Sequence, residues 1–337
     1  MAIKWLMENA GAVIHYRTLT ELLITENKSQ IQDSLANLLS LPQIQRRMDL
    51  LKNLDYGRVH GSDSTHLENI LPMLSDFGLH YGINAFRTII KDNFDVNKII
   101  TGYSYYDKVI AYPFLLRSKL PINGLIDFAI KRIETIYDFT KHFNFDIYDK
   151  VSNYKSVPKS FSDRPIIKPD IAHGDMCRLP LIYDIVTLSE VYSQVSPDIQ
   201  LKIDSIINYI ISPGYDTVVS GYGILSAPQR KYYSMGWDCK KPFNDNQNYA
   251  YPNLHRLLLY SNFPIIKKSM WFLNAVDYLM KFKTEKGTYI LPKEYLAESD
   301  SNWVLGSRMS LGENRRKKQY IEAESTFYML KLLMNGG

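Results

Sequence analysis

His60-Gly61-Ser62-Asp63 and His173-Gly174-Asp175-Met176-Cys177 are the two stretches on which the fold reading turns. In each, a histidine–glycine turn followed by an acid opens an apolar run, and a second apolar helix follows. Tyr105-Tyr106-Asp107 opens a third pair in the same way. A chain of helix pairs either stacks as an open superhelix or closes into a ring whose polar helix starts gather at a central cavity. The unequal loops and irregular repeat disfavour a solenoid of fixed period, so the closed ring is expected.

Working outward, apolar residues at helical spacing predict helices over Val13–Ile24, Ser29–Leu39 and Gln43–Leu51, with Pro42 at a first-turn position. The run Asp63–Phe77 reads as a helix capped by Ser62, Asp63 or Ser64, containing Pro72 and stopped by Gly78. Asn84–Phe94 and Tyr105–Leu116 follow, and then Ile122–Phe143, the cleanest amphipathic stripe in the chain. Later helices are expected over Leu179–Val195, Pro197–Ile211, Leu254–Tyr260, Ile265–Phe282 and Arg315–Met334. Val151–Asp170 reads as a surface connection. Gly214–Asn248 is too long for an ordinary loop, and its aromatic content argues against disorder. Strand signals are confined to Tyr215–Ser220 and Thr288–Leu291.

Composition narrows the class. The chain has 337 residues, 45% of them apolar and 22% charged, enough for a substantial core without metal or disulfide support. Forty basic residues against 35 acidic ones give a net charge of +5, and the only dense basic run is Arg315-Arg316-Lys317-Lys318. Nucleic-acid binding needs a broader basic stripe and is not expected. Two cysteines make no disulfide framework. Neither a signal peptide nor a membrane span is expected, which leaves a cytoplasmic protein. The 25 tyrosines supply rings for a core and for the wall of an apolar cavity.

At Trp5, His15-Tyr16-Arg17 and His60-Gly61, followed by the Leu67–Leu79 run, the chain resembles bacterial proteins of the prenyltransferase-like, or terpenoid cyclase-like, α/α-toroid superfamily. The resemblance implies an all-α fold: a single α/α-toroid domain over residues 1–337, a ring of about six helical hairpins with two long irregular loops. It also implies a small-molecule enzyme holding an apolar substrate of the isoprenoid kind in a central aromatic cavity. The Asp-x-Asp-Asp acid of alkene-protonating cyclases is absent from the sequence. Asp175-Met176-Cys177 matches the Asp-x-Cys of protein prenyltransferases, so the resemblance implies zinc at Asp175, Cys177 and His255. Those enzymes also use a partner subunit. Their glycine-rich surroundings and basic diphosphate cluster are missing here, and the residues equally suit a helix cap and a packed thiol.

Several side chains are candidates for chemistry. His60, Asp63 and His66 are spaced so that a carboxylate would back an imidazole if the helix began near Ser62, and His173 and Asp175 share that placement. Together these five form the expected catalytic set. Tyr105, Tyr106, Arg178, Trp237, His255, Arg256 and Trp303 are the expected substrate contacts: arginines for an anion, rings for an apolar wall, and loop tryptophans as covers or anchors. Two other readings stay open. One is a non-catalytic binding module on the same fold. The other is a carbohydrate-active ring with two carboxylates across a cleft, drawn from Asp63, Asp175 and Asp238.

Overall fold

The computed structural model describes residues 1–55, 57–95, 99, 101–173, 176–227, 231–239, 253–317 and 319–336. Its α-helices are, in chain order, α1 (Ala2–Asn9), α2 (Ala12–Arg17), α3 (Lys28–Leu39), α4 (Pro42–Lys52), α5 (Leu67–Asp76), α6 (Asn84–Asn93) and α7 (Tyr105–Arg117). They continue with α8 (Leu125–Thr140), α9 (Ile182–Val191), α10 (Pro197–Ile211), α11 (Asn253–Tyr260), α12 (Met270–Met280) and α13 (Gln319–Gly336). Among the described residues six short strands accompany them: β1 (Tyr148–Asp149), β2 (Ile166–Ile167), β3 (Ala172–His173), β4 (Met176–Cys177), β5 (Ile224–Ala227) and β6 (Lys231–Ser234). Contacts divide the chain into two compact units. The first comprises Met1–Gly102, Phe114–Ile122 and Pro242–Gly337, and the second Tyr103–Pro113 and Asn123–Lys241.

In the first unit, local signals set the helix ends. Asn27 accepts from the Gln30 N–H at the start of α3, Pro42 is the first residue of α4, and Ser269 caps α12 through the Phe272 N–H. Gly78, at φ +84°, turns the chain out of α5 in the left-handed conformation that glycine adopts without strain. Helix α2 runs on into a single π-helical stretch, Thr18–Leu22. Helix α5 is buried from Leu67 to Leu74, and against it packs the short turn Trp303–Leu305. The α5 start lies four residues later than the expected Asp63. Its first N–H groups already have partners, Leu67 N–H donating to the Arg58 carbonyl and Glu68 N–H to that of Val59. Residues 60–66 therefore form a turn folded over the helix end. The expected helix over Ile265–Phe282 is divided at Ser269, and the expected Arg315–Met334 helix begins at Gln319.

In the second unit, α8 packs against α10 and α9, and Ala129, Ile133 and Ile136 of α8 and Ile203, Ile206 and Ile210 of α10 are buried. Asp184 caps α9 by accepting from the Leu181 N–H at 2.7 Å and forms a buried fork with Arg132, 2.9 Å to Nε and 2.7 Å to Nη2. Arg132 also donates to the carbonyls of Cys177 and Leu179 and to the Tyr105 hydroxyl. One guanidinium thus ties α8 to the start of α9 and to the chain leading into it.

The all-α toroid expectation is overturned by the sheets of this unit. Strands β1, β2, β5 and β6 form a mixed four-stranded sheet, with β2–β5 parallel and the other pairs antiparallel, and β3 pairs with β4. Strands β2, β5 and β6 lie within segments whose Pro, Gly and Ser content reads as loop, and β3 and β4 fall at the 173–177 stretch expected to open a helix, yet Ile166, Ile167 and Ile224 supply the β-branched residues that suit a buried sheet. The segments are too short for period-2 patterning to register. Gly223 makes the β2–β5 approach possible, since a Cβ there would meet the Pro165 carbonyl oxygen at 2.3 Å. Tyr215, expected in an extended piece, lies in a 3-10 turn (Pro213–Thr217), whereas Tyr289 does bridge to Lys283. Among the described residues no helix is long and apolar enough to cross a membrane.

Candidate functional site

The first unit carries a pocket of about 290 Å³. Pro42, Gln43, Arg46, Arg47 and Leu50 of α4 form one wall, Ile70 and Met73 of α5 another, and Ser64 and Asp300 complete the lining. Leu50, Ile70 and Met73 give an apolar floor, while α4 presents its positive N-terminal end, where Pro42 has no N–H to satisfy.

The cationic side is built with care for geometry. The Arg47 side chain is only 10% exposed. Its Nη1–H donates to the Gln43 carbonyl at 3.1 Å and its Nη2–H to Asp300 Oδ1 at 2.8 Å. Arg308 donates to the same Oδ1 and, at 3.2 Å, to the Glu298 carbonyl. Both guanidiniums lie over the Phe77 ring, 5.3 and 5.8 Å from its centre. The Nε–H of each is buried with no hydrogen-bond partner among the described residues. Burial, followed by the charge of Arg47, lowers the Arg308 pKa from its usual value. Two buried cations thus share one half-exposed carboxylate, with Arg46 exposed at the pocket's edge. Such a site favours an anion.

None of the sequence-derived candidates His60, Asp63, His66, His255, Arg256 and Trp303 is among the residues that line that pocket. Ser64 carries the His60–His66 turn to its lining. Glu68, 4% exposed, accepts from His60 Nδ1 at 2.7 Å and from the Gly61 N–H at 2.6 Å, while Asn69 Nδ2 donates to the carbonyls of Gly61 and Asp63, both at 2.9 Å. These two side chains pin the turn down. His66 is the N-cap residue of α5, and its Nδ1 lies 3.1 Å from the Asp63 carbonyl. The Asp63 carboxylate is exposed and turned to the Thr65 N–H, which holds it below the usual range. Asp63 therefore does not stand behind an imidazole on a helix face.

Trp303 is fully buried and meets His255 edge to face at 4.6 Å. Both His255 ring nitrogens are buried without a hydrogen-bond partner among the described residues, and burial lowers the group to about 3. Arg256, next along α11, is half-buried.

In the second unit, Tyr105, Tyr106 and Trp237 do come together. Tyr105 and Tyr106 are 5.6 Å apart, Tyr106 and Trp237 6.2 Å, and Tyr183 adds a ring 5.7 Å from Trp237. Arg178 lies over Phe139 at 5.7 Å, and His173 is exposed on β3 opposite Met176. Asp175 lies outside the described residues. Of the remaining zinc candidates, His255 belongs to the first unit, and Cys177 to the second. The Cys177 thiol is buried, donates to the Leu179 carbonyl at 3.6 Å and is raised above its usual pKa by burial. A protonated, buried thiol is a poor fit to a thiolate ligand. Among the described residues no group of three His, Cys, Asp or Glu side chains is placed to hold a metal.

Arg46, Arg47 and Asp300 escaped the sequence reading. The Arg46-Arg47 doublet one turn after Pro42 was the available signal, but only the fold brings Asp300 to it. No family model, no curated protein and no solved structure matches this chain. The resemblance to the toroid superfamily thus rests on the sequence residues that carry it.

Proposed function

We propose that this chain is a small-molecule-binding protein whose first unit takes a small organic acid with a short apolar tail. The observation that carries the reading is Arg47, a guanidinium nine-tenths buried that lines a pocket with an aliphatic floor. The acid's head meets Arg47 and Arg46, and its tail lies on Leu50, Ile70 and Met73. Among the described residues no aromatic side chain lines the pocket, so a short aliphatic tail suits it better than the isoprenoid substrate implied by the resemblance. Calorimetric titration with hexanoate and with neutral 1-hexanol tests the reading. Hexanoate binding that 1-hexanol does not reproduce, and that Arg47→Gln removes, supports it; equal behaviour of acid and alcohol contradicts it.

A further inference from the structure

We infer that Asp300 is a built-in competitor for the acid: its carboxylate occupies Arg47, the buried guanidinium that the ligand's head engages, and binding displaces it into water. This inference rests on the pocket reading above.

Asp300 lines the pocket and its side chain is 47% exposed, whereas Arg47 and Arg308 are 10% and 8% exposed. It reaches both cations through one oxygen, Oδ1. A carboxylate aligned with a guanidinium fork accepts two parallel bonds instead, so the internal contact is an imperfect version of what a ligand offers. Among the described residues the buried Nε–H groups of both arginines have no acceptor either.

The surrounding turn limits the movement required. Ser299 N–H donates to the Ser307 carbonyl at 2.9 Å, and the hydroxyls of Ser299 and Ser301 are 2.8 Å apart. Beyond Asp300, Trp303 N–H is fixed to Asn69 Oδ1 at 3.0 Å. Glu298 is held by Arg315 at 3.1 Å. Asp300 therefore swings on a short segment between two anchors.

The exchange replaces one carboxylate by another, so the charge of the cluster is unchanged and the head alone gains little. The net gain comes from the tail, about 0.8 kcal/mol for each methylene taken from water, which is about fourfold in affinity. Asp300 thereby makes the pocket selective for acids with a tail and closed to acids without one.

The test is calorimetry on the whole chain, wild type and Asp300→Asn, with acetate and with hexanoate. Wild type is expected to bind hexanoate and not acetate. Asp300→Asn should bind both, hexanoate about tenfold more tightly than wild type. Wild type binding hexanoate as well as the variant does overturns the inference and leaves the pocket reading standing. If neither protein binds hexanoate, the pocket reading fails and takes this one with it. Should Asp300→Asn not fold, amide exchange of wild type decides: exchange over residues 299–307 is expected to rise on hexanoate saturation, and unchanged exchange in the saturated protein overturns the displacement.

Discussion

Trp303 donates its indole Nε1–H to Asp76 Oδ2 at 2.5 Å, joining residues 227 positions apart. The other Asp76 oxygen accepts from Arg117 at 2.7 Å, and its backbone carbonyl accepts from Arg17 at 2.7 Å. Arg117 lies 5.2 Å from the Trp303 ring centre and Phe114 meets the ring edge to face at 5.6 Å. One acid at the end of α5 therefore fixes the turn that follows Asp300. Between the two roles open to a loop tryptophan, cover or anchor, Trp303 is an anchor. Trp303→Phe keeps the packing but strips a partner from Asp76, and is expected to cost about 1–2 kcal/mol. Trp303→Ala should cost about 3–5 kcal/mol. Urea unfolding of both variants measures this; equal losses would show that the indole N–H contributes nothing.

His255 gives a pH signature. Folded, it stays neutral down to about 3, whereas its ordinary value is 6.5. Its contribution to stability is complete above pH 6.5 and is lost as pH falls toward 3. Glu324 acts in the opposite sense. It is fully buried, and burial raises it from 4.5 to about 7 despite the N–H groups of Leu311 and Glu313 and the Arg315 guanidinium, which lies 2.9 Å away but is not aligned for a hydrogen bond. Its contribution is complete below pH 4.5 and is lost as pH rises through 7. Between pH 4.5 and 6.5 the two slopes, each about 1.4 kcal/mol per pH unit, oppose each other. His255→Phe removes one of them and fills the same buried space without unsatisfied nitrogens. The variant's stability relative to wild type should rise steadily as pH drops from 6.5, and a difference independent of pH would contradict the burial argument.

Arg132 and Asp184 test the second unit. Both side chains are 3% exposed, so Asp184→Ala leaves a buried guanidinium without its counter-charge and is expected to cost about 3–5 kcal/mol. The double variant Arg132→Met, Asp184→Leu removes both charges and should recover much of that loss. Thermal denaturation of the three proteins separates the outcomes; a double variant no better than the single would assign the cost to lost packing.

Gly223 tests the sheet. Gly223→Ala places a Cβ against the Pro165 carbonyl at a φ of +130° and should destabilise by about 1–3 kcal/mol. The same change at Gly287, where a Cβ meets nothing within 4 Å but φ is +79°, isolates the backbone component. A smaller effect at Gly223 than at Gly287 would argue against the close β2–β5 approach.

The helices were legible where apolar spacing ran for three turns or more: Pro197–Ile211 has the boundaries its periodicity predicts, and α3 differs by one residue. The Asp63 start failed because the capping signal in Ser62–Ser64 is local, while the N–H groups of α5 are met by Arg58 and Val59 in a turn that Glu68 and Asn69 hold closed. The strands were hidden because runs of two to four residues are too short to show a period. The pocket was half visible: the chemistry of Arg46-Arg47 is plain in the sequence, but its partner Asp300 lies 253 residues from Arg47, and nothing local announces that pairing.

The central claim, that the α4–α5 pocket takes the tail and head of a small acid, is tested most directly by a crystal structure with a brominated hexanoate. The account predicts anomalous bromine density among Leu50, Ile70 and Met73, with the carboxylate in hydrogen-bond reach of Arg47. Bromine located elsewhere, or an occupied pocket with the carboxylate turned away from Arg47, would contradict it.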